Sequence, residues 1–453
     1  MRRITRQRWN AFASYCRHPA APLLFQELAW FESADGCVLA TVVVDVDGDF
    51  LTTIFARDAL GRFRSIGEDG PYEKAELATA NLTGRVQQML PALDVLRIQG
   101  DESGDAIDFF APRVPDEKLN LRFQRLASGD DFAAARAIIG QMMRSYDDAD
   151  GNFVEQFQTT GFDARLWELY LFAALSEAGC QVERPKPAPD LLARGIRGEF
   201  ALEATTINPT VRAAGKPDPL TTLHICEDPA SYVRHYLPIR YAGPLTSKLA
   251  KKYWTKPAAA GKPLALAIQD FHAPLSMRYS FPALPMYLYG ITQTPRRDSA
   301  NRLIIESSPI EDHRWEDKVV PSGFFSLPDA ENISAVLFNN AGTLNKFNRM
   351  GVGAGFGVDG ITLVRSGTLW DPNPDSSTPI PFEEVIAEGN PETWIEGMDV
   401  FHNPNAKHPL DDMHLPGAAH HHLLPHMQIE TSCRGRKPME SGTEIRRNPD
   451  PRS

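Results

Sequence analysis

The sequence lacks several features that define whole classes of protein. Its 453 residues include only five cysteines, at positions 16, 37, 180, 226 and 433, and these form no CxxC pair. An odd and scattered set argues against a disulfide framework and against a cysteine-bound zinc ion. No run of eighteen or more apolar residues occurs, and the charged first residues do not resemble a secretory signal. We therefore expect a cytoplasmic protein with no membrane partner.

Positive charge is also in short supply, because the formal net charge is −11. An acidic chain gains no general attraction for phosphate backbones, which argues against avid, non-specific binding of nucleic acid. A local basic face remains open, since the first 22 residues carry five arginines and no acid precedes Glu27. We interpret this segment as a surface helix; the alternative is an organellar transit peptide.

Several motifs of hydrolases and metal proteins are missing. The sequence contains no G-x-S-x-G elbow of a serine hydrolase and no helical pair of histidines followed by the glutamate of a zinc protease. The acidic stretch "DVDGD" at 45–49 is followed by Phe50 and Ala56 at the positions where an EF-hand needs glycine and glutamate. We therefore predict a turn there and no calcium site.

Hydrophobic patterning divides the chain into three regions. Residues 1–117 contain β-rich runs such as "CVLATVVVDV" and "DFLTTIFARD" between turn residues, which predict a β-rich N-terminal domain. Residues 118–345 alternate helical and strand patterns, which is typical of an α/β core. Residues 346–453 are rich in glycine, proline and histidine, and we expect an irregular C-terminal extension.

The middle region predicts a definite order of elements. The segment "GFDARLWELYLFAALSEAGC" has the pattern and the ends of a helix, with Asp163 in its first turn and Gly179 as its stop. Three strands follow, "CQVER", "PDLLA" and "EFALEATTI", then a basic helix "LTSKLAKKYW" and an apolar strand "KPLALAIQDF". The order is therefore helix, three strands, helix, strand. A later run, "ISAVLFNN" at 333–340, is predicted to join the same sheet.

Acidic residues stand in this apolar region where a sheet would normally bury leucine or valine. Side chains alternate along a strand, so Glu203 and Thr205 point to one face. If "PDLLA" pairs with "EFALEATTI" as a hairpin, Asp190 comes close to Glu203. Two adjoining carboxylates repel unless a cation lies between them, and Mg²⁺ prefers such oxygen ligands. Glu168 lies mid-helix among large apolar residues and needs a partner, for which the same metal site is a candidate.

A non-functional interpretation exists for each acid. The "PD" pair is also typical of a turn before a strand, and Glu203 faces solvent if its strand lies at an edge of the sheet. The basic helix, which carries Lys248, is equally explained as a solvated face with its apolar side packed inward. These interpretations stay open until the elements are placed in space.

The element order together with "PD" at 189–190 and "EAT" at 203–205 resembles the PD-(D/E)XK, or restriction-endonuclease-like, nuclease superfamily. The resemblance covers residues 162–271 and implies a restriction-endonuclease-like α/β core. It also implies that Asp190 and Glu203, with Glu168, hold Mg²⁺ or Mn²⁺ while a lysine orients or deprotonates the attacking water. Thr205 occupies the lysine position here. Threonine can position a water but supplies no positive charge, so Lys248, or else Lys186, becomes the candidate for the missing cation.

The resemblance implies a metal-dependent phosphodiester hydrolase that acts on DNA in preference to RNA. The alternative is a nuclease-fold module that has lost catalysis and binds nucleic acid or a protein partner. The whole chain also resembles a group of bacterial proteins carrying "LWELYLFAAL", "EATTINP", "KFNRMG" and "FHNPNAKHPL", a likeness that implies no activity. The sequence leaves the oligomeric state open.

A third alternative comes from the histidines. Seven of the twelve fall between residues 402 and 426. Histidine-rich tracts bind zinc or nickel, but the proline, asparagine and glycine around them favour a surface loop with adventitious metal affinity. We therefore expect a loop there, with a histidine-rich metal-binding protein as the weaker alternative.

Overall fold

A five-stranded antiparallel sheet opens the fold. The computed structural model describes residues 1–102, 106–148, 151–209 and 228–447. The strands follow one another in chain order across the sheet, which confirms the predicted β-rich region. The elements are β1 (Arg2–Ile4), α1 (Arg6–Ala13), α2 (Ala21–Leu24), β2 (Phe25–Glu32), β3 (Val38–Asp45), β4 (Phe50–Arg57), β5 (Phe63–Tyr72), α3 (Ala75–Met89) and α4 (Leu93–Leu96). Helix α3 covers one face because Ala78, Leu82, Val86 and Met89 repeat at helical spacing and are buried.

Four helices then lead to the central sheet. They are α5 (Leu121–Ser128), α6 (Ala133–Met143), α7 (Phe153–Gln158) and α8 (Phe162–Glu177). The predicted central helix is confirmed as α8, which begins after Gly161 and ends shortly before Gly179, whose positive φ of 84° suits a helix stop. Its residues from Leu166 to Ser176 are all buried, because the helix lies between the sheet and the other helices.

The described residues follow the predicted order of helix, three strands, helix and strand. After α8 come β6 (Gln181–Glu183), β7 (Leu191–Gly195) and β8 (Gly198–Ile207), which pair antiparallel. Then follow α9 (Pro229–Ser231), one π-helical turn, α10 (Leu237–Ala250), β9 (Leu264–Asp270) and α11 (Met277–Tyr289). Strand β9 runs parallel to β8 and is buried on both faces, as expected for an apolar strand reached by a helical crossover.

The remaining strands complete the central sheet and add smaller ones. They are β10 (Ile291–Arg297), β11 (Leu303–Pro309), β12 (Asp312–Trp315), β13 (Lys318–Pro321), β14 (Ala335–Asn339), β15 (Ile361–Leu369), β16 (Ile380–Ile386), β17 (Met398–His402), β18 (Ala419–Leu424), β19 (Gln428–Cys433) and β20 (Pro438–Arg447), with α12 (Leu344–Gly353) after β14. The central sheet has eight strands in the order β19-β18-β17-β14-β9-β8-β7-β6. Strand β14 therefore joins the sheet as predicted.

The expectation of an irregular C-terminal extension is wrong. Strands β17, β18 and β19 belong to the central sheet, and β15, β16 and β20 form a three-stranded sheet of their own. Several of these strands carry histidine, aspartate or arginine at buried positions, so they lack the apolar alternation by which a strand is predicted. Within the described residues no helix is long and apolar enough to cross a membrane.

A buried ion cluster joins the C-terminal region to the rest. Lys346 and Arg349 of α12 both contact Glu392, at 2.8 Å each, and the three side chains are almost fully buried. Arg365 of β15 lies 3.2 Å from Glu392 and 2.7 Å from Glu396. Burial alone raises the pKa of the Glu392 carboxyl, but Arg349 and Lys346 together lower it well below its usual range. The carboxylate is therefore ionised and compensates several buried cations.

We expect Glu392→Gln to lower the free energy of unfolding by about 3–5 kcal/mol at pH 7, because it leaves buried cations without their counter-charge. The loss should shrink as the pH falls below about 4. A carboxyl whose pKa is lower in the folded protein than in the unfolded chain stabilises the fold at pH values above its unfolded pKa, near 4.3. As the pH falls and the carboxyl is protonated, that stabilisation is lost. Urea unfolding of both proteins from pH 3 to 8 measures the difference. The exposed Glu388→Gln is the control, and an equal effect of the two variants would contradict the prediction.

Candidate active site

The register of two strands brings the predicted acids together. Strand β7 pairs antiparallel with β8 so that Leu191 lies opposite Leu202. Extending this register by one residue places Asp190 opposite Glu203. Leu202 and Ala204 face α8, whereas Ala201 and Ile207 face the cluster built by α10 and α11. Glu203 therefore lies on the α10 face, as the strand alternation predicts.

Asp190 and Glu203 bind each other through the backbone where the strand ladder ends. The Asp190 N–H donates to Glu203 Oε2 at 3.1 Å. The Ala204 N–H donates to Asp190 Oδ2 at 2.8 Å. These two bonds fix both carboxylates, so their positions follow from the hairpin and not from free side-chain rotation. Among the described residues, no donor contacts Asp190 Oδ1.

Lys248 supplies the positive charge at this site. Its Nζ lies 2.6 Å from Glu203 Oε1 and 3.8 Å from Asp190 Oδ2. Lys248 is in the last turn of α10, the helix that crosses over between β8 and β9. The predicted replacement for the lysine missing at Thr205 therefore does reach the two carboxylates. Lys186, the other candidate, is exposed and lies before β7.

Tyr253 completes the group and was not predicted from the sequence. It follows α10, and its side chain lies near the Glu203 carboxylate. Burial, with the adjoining Glu203 carboxylate, raises the pKa of the Tyr253 hydroxyl, so it remains a donor. Lys248 Nζ also lies 5.6 Å from the centre of the Tyr253 ring, within cation–π range. The "KKYW" run in the sequence predicts a tyrosine packed inward beside solvated lysines, and it does not indicate a contact with Glu203.

The site is half-open to solvent. The Glu203 side chain is 5% exposed, that of Lys248 17% and that of Asp190 29%. Burial, and then the nearby Asp190, raises the pKa of the Glu203 carboxyl, while Lys248 lowers it in part. Asp190 is thus the carboxylate that a solute reaches first, and Glu203 is the one that depends on Lys248 for its charge.

Glu168 has partners of a different kind. Arg165, one turn earlier on α8, contacts both of its oxygens at 2.6 and 2.8 Å. Arg184, after β6, lies 3.4 Å away, and the Tyr146 hydroxyl donates to Glu168 at 3.3 Å. Burial and the charge of Asp190 raise the pKa of Glu168, and Arg165 lowers it. Two arginines thus provide the partner for which a metal ion was one candidate.

The three predicted metal ligands do not converge on one point. Within the described part of the chain, the group of three metal-binding side chains whose ligand atoms lie within 4.8 Å of one another is His402, Asp412 and His420. Asp190, Glu203 and Lys248 form one cluster and Glu168 another. Thr205 is half-buried, two residues beyond Glu203 on the same face of β8. The roles of Glu168 and Thr205 stay predictions.

The expectation of a histidine-rich surface loop is wrong for three of the histidines, although His408 is exposed in the turns between β17 and β18. His402 ends β17, and His420 and His421 lie in β18, where all three are buried. The neighbouring prolines and glycines lie outside β17 and β18, so they do not interrupt either strand. The histidines occupy inward positions because each has a polar partner there, such as Asp399 for His421 at 2.8 Å.

Comparisons with protein-family models, with curated proteins and with solved structures found no match to this chain.

We expect Lys248→Met to destabilise the fold by about 2 kcal/mol at pH 8 and by less at pH 5. Removal of the ammonium group raises the pKa of the buried Glu203 carboxyl further. When the pKa of a carboxyl is higher in the folded protein than in the unfolded chain, stability falls as the pH rises above the unfolded pKa, near 4.3. The destabilisation caused by Lys248→Met should therefore grow towards pH 8. Thermal unfolding at both pH values measures it. The exposed Lys251→Met serves as the control, and a penalty that does not depend on pH would contradict this role for Lys248.

Proposed function

We propose that this protein is a metal-dependent phosphodiester hydrolase of the PD-(D/E)XK type. The observation that supports the proposal most strongly is the meeting of Asp190, Glu203 and Lys248 on β7, β8 and α10. Two carboxylates and a lysine at one point are the groups that such chemistry requires. The resemblance implied the acids, and the geometry brings a lysine to them from a different element.

Asp190 and Glu203 are suited to a hard divalent cation such as Mg²⁺ or Mn²⁺. Both offer carboxylate oxygens, which these ions prefer, and waters complete the shell. Asp190 Oδ1 accepts no hydrogen bond from the described residues, and the Asp190 side chain is more exposed than that of Glu203. When bound, such an ion makes its water more acidic and offsets charge on the phosphoryl oxygens. Asp190 and Glu203 would hold it.

In this proposal Lys248 and Thr205 together replace the lysine that the superfamily has at the position of Thr205. The Lys248 ammonium group lies against both carboxylates and provides positive charge for the scissile phosphate or the attacking water. Thr205 lies on the same face of β8, where its hydroxyl would place a water. In this proposal Glu168, held by two arginines, positions α8 against the hairpin and does not bind the metal.

The proposed substrate is a phosphodiester in DNA, with RNA as the less favoured choice. Lys251 and Lys256 lie close in sequence to Lys248 and offer further positive charge for the backbone phosphates. Because the chain as a whole is acidic, we expect binding to depend on this local face and to weaken steeply with salt.

The second candidate function is a non-catalytic module with the same fold. One observation favours it: Lys248 Nζ already lies 2.6 Å from Glu203 Oε1, so an ammonium ion compensates the charge that a metal would otherwise neutralise. In that case the acids and the lysine stabilise the hairpin against α10, and nucleic acid or a protein binds without being cleaved.

The first experiment is calorimetric titration of Mg²⁺ and Mn²⁺ into wild type, Asp190→Ala and Glu203→Gln. We expect wild type to bind and both variants to lose binding, because each variant removes a carboxylate ligand. Nicking of supercoiled plasmid and cleavage of single-stranded DNA and structured RNA should require the metal. Glu203→Gln should reduce the cleavage rate by at least ~10²-fold, the usual effect of removing one group that stabilises a transition state.

Glu199→Gln is the matched control. It lies on the same strand but pairs with Arg194 and Lys262 away from the site. It should bind metal and cleave like wild type. Full cleavage by Asp190→Ala and Glu203→Gln would refute the hydrolase assignment. A folded wild type that binds nucleic acid equally with and without a chelator, and never cleaves it, would establish the non-catalytic module instead.

A further inference from the structure

A second group of polar side chains meets at the far half of the central sheet. His402 is the last residue of β17, and His420 and His422 lie in β18, which runs parallel beside it. Asp412 lies in the connection between the two strands, in a short turn that the Asp411 side chain caps. Because His420 and His422 are two residues apart on a strand, they share one face. The group is separated from Asp190 and Glu203 by β14 and β9.

The histidine nitrogens converge on one carboxylate oxygen. Asp412 Oδ1 lies 3.3 Å from His402 Nε2, 3.5 Å from His420 Nδ1 and 2.9 Å from His422 Nε2. His402 Nε2 and His420 Nδ1 are themselves 2.9 Å apart. In a tetrahedral zinc site with ligand bonds of 2.0–2.1 Å, neighbouring ligand atoms are about 3.3 Å apart. The triangle formed by His402, Asp412 and His420 therefore has edges close to those of a zinc tetrahedron.

The hydrogen bond on the outer side of His420 selects the tautomer that can bind a metal. His420 Nε2 lies 3.0 Å from the carbonyl oxygen of Leu415, which can only accept, so this nitrogen carries the proton. The Nδ1 nitrogen is then bare and points at His402 and Asp412. Metal-binding histidines characteristically donate their other N–H to a carbonyl or carboxylate in this way. This observation is independent of the spacing of the ligand atoms.

From this geometry we infer that His402 Nε2, His420 Nδ1 and Asp412 Oδ1 bind a divalent transition metal ion, with Zn²⁺ as the expected occupant. Two imidazoles and one carboxylate suit zinc and its neighbours and do not suit Mg²⁺, which prefers oxygen ligands alone. On binding, His402 gives up the proton at Nε2, through its other tautomer or to solvent.

His422 supports the site and is not itself a ligand. Its ring stacks on that of His402, with centroids 4.1 Å apart and planes 13° from parallel. Two stacked rings direct their nitrogens side by side, whereas tetrahedral ligands approach from different directions. His422 therefore orients Asp412 through its 2.9 Å contact. The fourth position remains for water or a small anion, since Asp412 is 40% exposed and His422 is half-exposed.

The test is titration of Zn²⁺ into the full chain, made without a polyhistidine tag and stripped with a chelator. We expect one tight site. Asp412→Asn and His420→Ala should weaken the zinc affinity by at least about 100-fold, and His422→Ala by about 10–100-fold, the range for a group that orients a ligand. His408→Ala and His426→Ala, which change exposed histidines of the same segment, should bind like wild type. Asp190→Ala should also keep the site, which separates it from the proposed magnesium site.

The Co²⁺ spectrum of wild type provides a readout that needs no variant. An intense visible band is expected for a four-coordinate site with nitrogen and oxygen ligands. Equal zinc affinity in wild type and Asp412→Asn would overturn the inference. A weak Co²⁺ spectrum of the octahedral type, or no zinc binding by wild type, would also overturn it. An equal loss of zinc affinity in His426→Ala would overturn it too, because it would show adventitious binding by surface histidines.

Discussion

An ionised carboxylate buried without an opposite charge costs several kcal/mol, and several buried carboxylates lie in the central sheet or beside it. Four of them have at least one cation from another element. Glu203 has Lys248, Glu168 has Arg165 and Arg184, Glu392 has Lys346 and Arg349, and Asp399 has Lys437. The positions of the helices and connections that carry these cations follow in part from this constraint, because a shift of any one of them would leave a buried charge unpaired.

The pairs also explain how the C-terminal region is held against the rest of the fold. Lys437 precedes β20 but contacts Asp399 of β17, where burial raises the pKa of the carboxyl and Lys437 and His421 lower it to a net value below the usual range. Lys346 and Arg349 reach from α12 to Glu392 ahead of β17. Apolar packing alone would tolerate small shifts of these strands. Paired buried charges with fixed hydrogen-bond geometry tolerate much less.

The part of the central sheet near Asp190 and Glu203 was largely predictable from the sequence. The helix α8 and strands β8 and β9 have strong patterns, and one hairpin register is enough to place Asp190 beside Glu203. Lys248 was predictable only as the nearest lysine on the next helix. Helix α11 was missed because it contains Pro282 and Pro285, which normally break a helix. Arg165 lies three residues before Glu168 on the same helix, so helix spacing alone could have found that partner. The contact of Arg184 with Glu168 and the grouping of the histidines depend on other segments, and no local pattern in one sequence records those contacts.

The direct contact between Lys248 and Glu203 has a consequence for the proposed hydrolase. A metal ion that binds Asp190 and Glu203 must share the Glu203 carboxylate with the ammonium group, and two cations beside one carboxylate repel each other. Metal binding would then be weakened by Lys248 in the absence of substrate. Once a phosphodiester enters, its negative charge lies next to both cations and removes that repulsion. Metal and substrate would therefore bind cooperatively, each raising the affinity of the other, as reciprocal coupling between two ligands requires. In that arrangement the Lys248–Glu203 ion pair stabilises the free protein and also keeps the Lys248 ammonium group beside the place where the phosphate would bind.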